Sequence, residues 1–265
     1  MLQPAPTLSS NFVSLTADVQ VAIEQALILA AGRGVRMGER GQSIPKGFIE
    51  LGGQSLVARS LTLLARAGIR DVTIVTGHLA DCYEQLPPVA GVSVTTLHNP
   101  LFAERGSFES LRIGLTAMTS SFLLLESDIV YEPRALATVL SSAHDSVILT
   151  SGPTGAGDEV YVWADEMEGV HRFRGMSKQR ATHADDPFGE LVGISKISMK
   201  LAHRLTQDAH EARPDSDYES AVVRAAGETP IACLRVDDLL WGEIDDEVML
   251  ARVEASLWPR LGALD

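Results

Sequence analysis

The first regular feature of the chain is a short apolar run, ALILAA from Ala26. A long loop follows, and then apolar positions recur at helical spacing from Leu56 to Ala67 before DVTIVTG, from Asp71, reads as strand. The opening unit is therefore strand, helix, strand. The alternation continues through VSVTTL from Val92, a helical stretch from Ser107 to Met118, FLLLE ending at Glu126, a helix after Pro133 and SVILTS from Ser146. Beyond Gly157 the period changes to two in DEVYVWAD and VHRFRG, as in an antiparallel ribbon that forms a lid or wall. Helical patterns near Leu201 and from Asp217 to Ala226, a strand-like PIACLRV and a helix starting near Asp246 complete the series. The pattern predicts an α/β fold: a mixed, mostly parallel twisted sheet flanked by helices, Rossmann-like, with a small antiparallel excursion. Residues 1–24 mix Pro, Ser, Thr and Gln before any strand-like run and read as an N-terminal extension, leaving 25–265 as one domain.

Composition narrows the partners. With 22 basic and 35 acidic residues the formal net charge is -13, which opposes the phosphate field of nucleic acid or an anionic membrane. A small anionic substrate remains compatible, because one local cluster of Lys and Arg can dominate a cleft. Cys82 and Cys233 are too few for a disulfide scaffold and lack zinc spacing, so both read as reduced packing thiols. No Lys or Arg precedes Arg33 and no apolar run reaches membrane-spanning length. The expected compartment is the cytoplasm, with no membrane insertion; a homodimer is left open.

The loop after the first strand, LAAGRGVRMGERGQSIPKGFIELGG from Leu29, combines small residues, arginines and a lysine behind a proline. Ala31, Gly32 and Gly34 lack bulk, so their backbone N–H groups can approach phosphate oxygens. Arg36 and Lys46 supply charge beside a reacting phosphorus, where transfer depends chiefly on positioning and electrostatic stabilisation. The glycine spacing is one residue too long for a dinucleotide fingerprint, and no Gly-Lys-Ser/Thr ending makes a P-loop. A Gly-rich segment alone is most often a surface turn. This one follows the first strand, where open α/β sheets place ligands.

LAAGxGxRM followed by PKGFIELGG is similar to the signature of the sugar-phosphate and cytidylyl nucleotidyltransferase superfamily. TGH at Thr76, GSFESL at Gly106, FLLLESD ending at Asp128, GDEVY at Gly157, SK at Ser177, FGELVG at Phe188, DYE at Asp217 and WGEIDD at Trp241 extend the likeness to about Glu254. Together they resemble the 2-aminoethylphosphonate cytidylyltransferases, relatives of the phosphocholine cytidylyltransferases. The resemblance implies transfer of CMP from CTP to a small zwitterionic phosphonate, with Mg²⁺ as cofactor and pyrophosphate released. It implies Lys46 and Arg36 as catalytic cations and nucleotide contacts at Leu29, Ala31, Gly32, Gly34, Lys46, Thr76, Gly77, Ser107 and Glu126.

An Asp after a strand is by itself more often a cap or turn residue. The paired motifs and the resemblance make Asp128 and Asp245 the expected metal ligands, in preference to Glu126 and Asp246, and Mg²⁺ suits two carboxylates plus phosphate oxygens. No general base is needed, since a phosphonate already offers an unprotonated oxygen. His78 accordingly reads as a base-pocket or packing residue. For the acceptor, Lys178 is expected to hold the phosphonate and Asp158 or Glu159 the ammonium, with Tyr161 and Tyr218 lining the pocket. Phosphocholine, lacking an N–H donor, calls instead for an aromatic cage. The competing readings are a phosphocholine or other small phosphate or phosphonate cytidylyltransferase and a non-catalytic nucleotide-binding regulatory protein.

Overall fold

The structure, a computed structural model, describes residues 22–208 and 213–264; the extension expected over residues 1–24 lies outside them except for its last three residues. The chain opens with β1 (Gln25–Ala30), α1 (Glu39–Ser43), the short β2 (Glu50–Leu51) and β3 (Gln54–Ser55), and α2 (Leu56–Arg66). Next come β4 (Asp71–Thr76), α3 (Ala80–Glu84), β5 (Ser93–His98), α4 (Ser107–Leu115), β6 (Phe122–Glu126), β7 (Ile129–Tyr131) and α5 (Arg134–Ser141). The second half holds β8 (Val147–Ser151), β9 (Tyr161–Met167), β10 (Val170–Ser177), β11 (Gly189–Ile197), α6 (Met199–Asp208), α7 (Tyr218–Ala226), β12 (Ala232–Val236), β13 (Trp241–Glu243) and α8 (Glu247–Arg252).

The main sheet runs β5-β4-β1-β6-β11-β8-β12-β10-β9. β4, β1 and β6 are parallel neighbours, so β1 lies where the chain turns from building outward on one side to building outward on the other. The crevice beside such a switch point, at the carboxyl ends of the strands, is where open α/β sheets hold ligands. β1 alternates between the two faces. Ala26, Ile28 and Ala30 join the core under α2 and α5, whereas Leu27 and Leu29 join the core under α4, α6 and α7. Both faces are thus covered, which is why the strand reads as one continuous apolar run.

The mixed sheet and its flanking helices are as the hydrophobic pattern predicts. The antiparallel part reaches further than the period-two segment indicates, because β11 runs antiparallel between β6 and β8 and also pairs with β9. All nine of its residues are buried, so no in/out alternation marks it, and Gly189, Glu190, Gly193 and Lys196 dilute its apolar character. Gly193 has φ +77 where the register with β8 shifts, and a Cβ there would stand 2.6 Å from Glu126 Oε2. This glycine gives the strand its bulge and the Glu126 carboxyl its room.

A third core packs Met37, Ile49, Leu51 and Leu56 against Val130, Ile244, Leu250 and Val253. It anchors the loop after β1 to β7, β13 and α8. Burying a side chain such as Met37 contributes roughly 2 kcal/mol, enough to hold a glycine-rich loop in one place. Among the described residues, no helix is long and apolar enough to cross a membrane.

Candidate active site

Register alone brings the key residues together. In the parallel β1–β6 pair Leu29 faces Glu126, so the residues just beyond both strands, Ala31 and Asp128, emerge side by side. In the antiparallel β13–β7 pair Glu243 faces Ile129, and Ile244 N–H donates to the Asp128 carbonyl at 2.9 Å. Asp245 is carried to the same edge although it lies 117 positions beyond Asp128. Asp246 turns away: its side chain caps α8, accepting from Met249 N–H at 2.8 Å.

The cleft at this edge is lined by Leu29, Ala31 and Gly32 from the first loop, by Arg36 and Lys46, and by Ser107, Glu126, Asp128, Lys178, Tyr218 and Asp245. Lys46 Nζ donates to Asp128 Oδ2 at 2.9 Å and to Asp245 Oδ1. Arg36 donates to Asp245 Oδ2 and, at 2.6 Å, to Asp158 Oδ2. Lys178 approaches the same Asp158 oxygen at 3.7 Å. One chain of opposite charges therefore joins the glycine loop, the strand edge and the ribbon. Asp245 is only 1% exposed. Burial tends to raise its carboxyl, yet the hydrogen bond from Glu243 and the charges of Lys46 and Arg36 outweigh it and hold the group at about 2. Burial likewise works against charge on Lys46, and Asp128 and Asp245 overcome it, raising the ammonium above its usual range. Glu243 is pushed strongly upward by burial and by the Asp128 and Glu126 charges, which favours sharing its proton with Asp245.

Carboxylate oxygens lie close enough to share a cation in two overlapping sets, Glu126–Asp128–Glu243 and Asp158–Glu243–Asp245. The donors are all hard oxygens, which fits Mg²⁺ and disfavours softer metals. Glu243 belongs to both sets and was missed by sequence reasoning, which stopped at the following aspartates of WGEIDD.

Several expectations need correction. Thr76 and Gly77 do not line the cleft. Thr76 is buried with its hydroxyl on the Leu97 carbonyl at 3.5 Å, and a Cβ at Gly77 would collide with Phe102 and the Ala31 carbonyl. Phe102, Arg105 and Ser110 stand on that side of the cleft instead. Gly34 also lies off the lining; with φ +60 it turns the loop and packs against Lys46 and Gly41. His78 Nε2 pairs with the Gly41 carbonyl at 2.8 Å, a packing role that steadies the loop. Ser107 lines the cleft and accepts from Tyr218 N–H at 2.9 Å at the start of α4.

At the other end lies an enclosed pocket that shares Glu126, Lys178, Glu219 and Glu243 with the cleft and adds Asp158, Glu159, Glu190 and Trp241. Asp158 is already engaged by Arg36 and Lys178, and Glu159 accepts from Gly157 N–H at 2.9 Å and from Tyr161 Oη at 3.4 Å. Both line this pocket, each with partners already in place, whereas Tyr161 is not among its lining residues. Tyr218 is buried and donates to Glu126. Glu219, the next residue of DYE, carries a buried oxygen with no hydrogen-bond partner among the described residues. Burial, followed by the Asp217 and Asp128 charges, pushes its carboxyl up to about 7 despite its own backbone N–H and Lys178.

A glycine loop, a buried lysine and a strand-edge set of carboxylates at a sheet switch point define a nucleotidyltransferase. The chain belongs to the MobA-like NTP transferase domain family, whose model matches residues 26–186. It is 28% identical over 233 residues to the CMP-5'-(3-aminopropyl)phosphonate synthase of Streptomyces rubellomurinus, a match that takes in 84% of this chain but 37% of that protein. It is 26% identical over 200 residues to the 2-aminoethylphosphonate cytidylyltransferase of Lancefieldella rimae, covering 73% of this chain and 75% of that one. The chain thus spans little more than a third of the first relative and three quarters of the second. Among solved structures, the inositol-1-phosphate CTP transferase from T. maritima superposes with a TM-score of 0.77 at 19% identity, over 92% of this chain and 96% of that one. The CTP:phosphocholine cytidylyltransferase from Streptococcus pneumoniae gives 0.70 at 18% identity, over 88% and 98%. At these identities the superpositions establish the fold.

Proposed function

We propose that this protein is a Mg²⁺-dependent cytidylyltransferase that transfers CMP from CTP to a small zwitterionic phosphonate, with 2-aminoethylphosphonate as the reference acceptor. The observation that carries the reading is the continuity of the charge chain: cations of the glycine loop at one end, Lys178 in the middle, and a carboxylate-lined pocket at the other. The names of the curated relatives support cytidylyl transfer and a phosphonate acceptor.

In the proposed reaction an acceptor oxygen attacks the α-phosphorus, the new P–O bond forms in line with the bond that breaks, and pyrophosphate leaves with the electron pair. Lys46 and Arg36 lie where they offset the charge of the triphosphate, and Ala31 and Gly32 offer unobstructed backbone N–H groups. Mg²⁺, held by Asp128 and Asp245 with Glu126 and Glu243 within reach, would supply further neutralisation of phosphate charge. Lys178 receives the phosphonate, and its present partner Asp158 keeps it extended over the pocket mouth. The ammonium goes to Glu219 and its neighbours rather than to Asp158 or Glu159. Among the described residues Trp241 is the one aromatic side chain lining that pocket, which is not a cage for a trimethylammonium.

The test is a pyrophosphate-release matrix of four NTPs against 2-aminoethylphosphonate, 3-aminopropylphosphonate, phosphocholine, phosphoethanolamine and a sugar phosphate, with and without Mg²⁺. CTP with an aminoalkylphosphonate should turn over only when the metal is present. Faster turnover of phosphocholine, by about tenfold or roughly 1.4 kcal/mol, would overturn the acceptor while keeping the reaction class.

A further inference from the structure

The lining of the enclosed pocket mixes acids with hydrogen-bond donors. Glu126, Glu190, Glu219 and Glu243 belong to it, as do Trp241 and Arg252, while Thr154 N–H is already taken by Glu190 Oε2 at 2.8 Å. Two buried polar atoms in its lining residues have no partner among the described residues: Glu219 Oε2 and Trp241 Nε1. They ask for different things. Glu219 accepts hydrogen bonds from an ammonium, whereas an indole N–H is a donor only and needs a lone pair. An unsubstituted aminoalkylphosphonate brings N–H donors to this end and no acceptor atom. It leaves Trp241 as it is, and a buried donor without a partner is costly to keep.

Arg252 adds further donors. Its Nη1 donates to the Gly155 carbonyl at 3.0 Å, and the residue is part of the pocket lining. Room for a branch on the acceptor also exists, because Thr154, Trp241, Gly242 and Arg252 line a second groove that continues past them toward Ser256 and Arg260.

Resting on the function proposed above, we infer that the preferred acceptor carries an oxygen acceptor, hydroxyl or carboxylate, on a branch beside its ammonium, read by the Trp241 indole N–H with Arg252. The ammonium faces the glutamates, the oxygen faces Trp241, and both orphaned atoms are satisfied by one ligand. A site built to hydrogen-bond a substrate oxygen discriminates against the analogue lacking it, because the site's buried group is then left unpaired.

The experiment compares kcat/KM, at saturating CTP and Mg²⁺, for 2-aminoethylphosphonate, 2-amino-3-hydroxypropylphosphonate and 2-amino-3-phosphonopropionate. At least one oxygen-bearing congener should exceed 2-aminoethylphosphonate by about tenfold or more, and which one does so distinguishes hydroxyl from carboxylate. In Trp241→Phe, which keeps an aromatic ring and removes the N–H, that ratio should fall by about tenfold; a ratio within one preparation does not depend on how much of it is folded. The inference is overturned if neither congener reaches this advantage, or if the ratio is the same in Trp241→Phe. Turnover of 2-aminoethylphosphonate without the advantage sinks this inference and leaves the proposed function standing. No turnover of any of the three sinks both.

Discussion

The two ends of the site are built on contrasting electrostatic plans. At the nucleotide end every charge has a counter-charge: Lys46 joins Asp128 and Asp245, and Arg36 joins Asp245 and Asp158. At the acceptor end carboxyls crowd together, with Glu219 and Glu126 pushed up to about 7 and 8 by burial and by their acidic neighbours. The paired end can be kept in place without ligand at little cost, and its ligand must displace existing partners. The unpaired end is desolvated in advance and gains most from a ligand that brings the missing charge.

The sharpest way to break this contrast is to open the paired end. Asp245→Ala leaves Lys46 and Arg36 facing each other across a buried gap. It should lower kcat/KM for pyrophosphate release by about 10³-fold, and a loss under tenfold would remove Asp245 from the charge cradle. At the acceptor end the expected effect is smaller and confined to one substrate. Glu219→Gln should raise KM for the aminoalkylphosphonate by roughly tenfold while KM for CTP stays within about twofold; equal increases in both would show a general collapse of the site.

The same substitution should act on stability with the opposite sign. Because the folded state holds the Glu219 proton up to about 7 whereas its ordinary value is 4.5, the folded state binds more protons between those values. Stability therefore falls as pH rises through that window and levels off above it. Asp245 has the reverse sign, but its window lies between about 2 and 3.8 and does not interfere. Melting curves of Glu219→Gln and wild type should coincide near pH 4.5 and separate by a few degrees near pH 7.5, the variant being the more stable. Identical curves across the range would mean that Glu219 is better solvated than its surroundings indicate. The smallest effect belongs to the exposed Arg40–Glu247 pair, 2.7 Å apart on the rim. Arg40→Ala should change the melting temperature by no more than about one degree and activity by less than about twofold.

Much of the nucleotide end was legible along the chain, because its parts are short motifs hung on obvious strands. The loop from Leu29 to Lys46 follows a buried parallel strand, and Asp128 follows another. The errors lie where tertiary packing overrules local chemistry. Thr76 and Gly77 sit at a strand end in a promising motif, yet Thr76 is buried on the Leu97 carbonyl and Phe102 covers Gly77 from a separate loop. Asp158 and Glu159 read as acids free to take an ammonium, but Arg36, Lys178 and the Gly157 backbone already engage them at the pocket wall. Glu190, cited within FGELVG, was given no role because β11 itself, buried along its whole length, carries no alternation to place it.

The sequence by itself determined the succession of strands and helices, the position of the phosphate-facing loop and the residue types needed for charge neutralisation. These follow from periodicity and from local steric demands, which act over a few residues. Only the tertiary structure decided which acids are paired and which are left waiting. That choice depends on register across β1–β6 and β13–β7 and on the bulge at Gly193, and so on which groups the folded chain removes from water together.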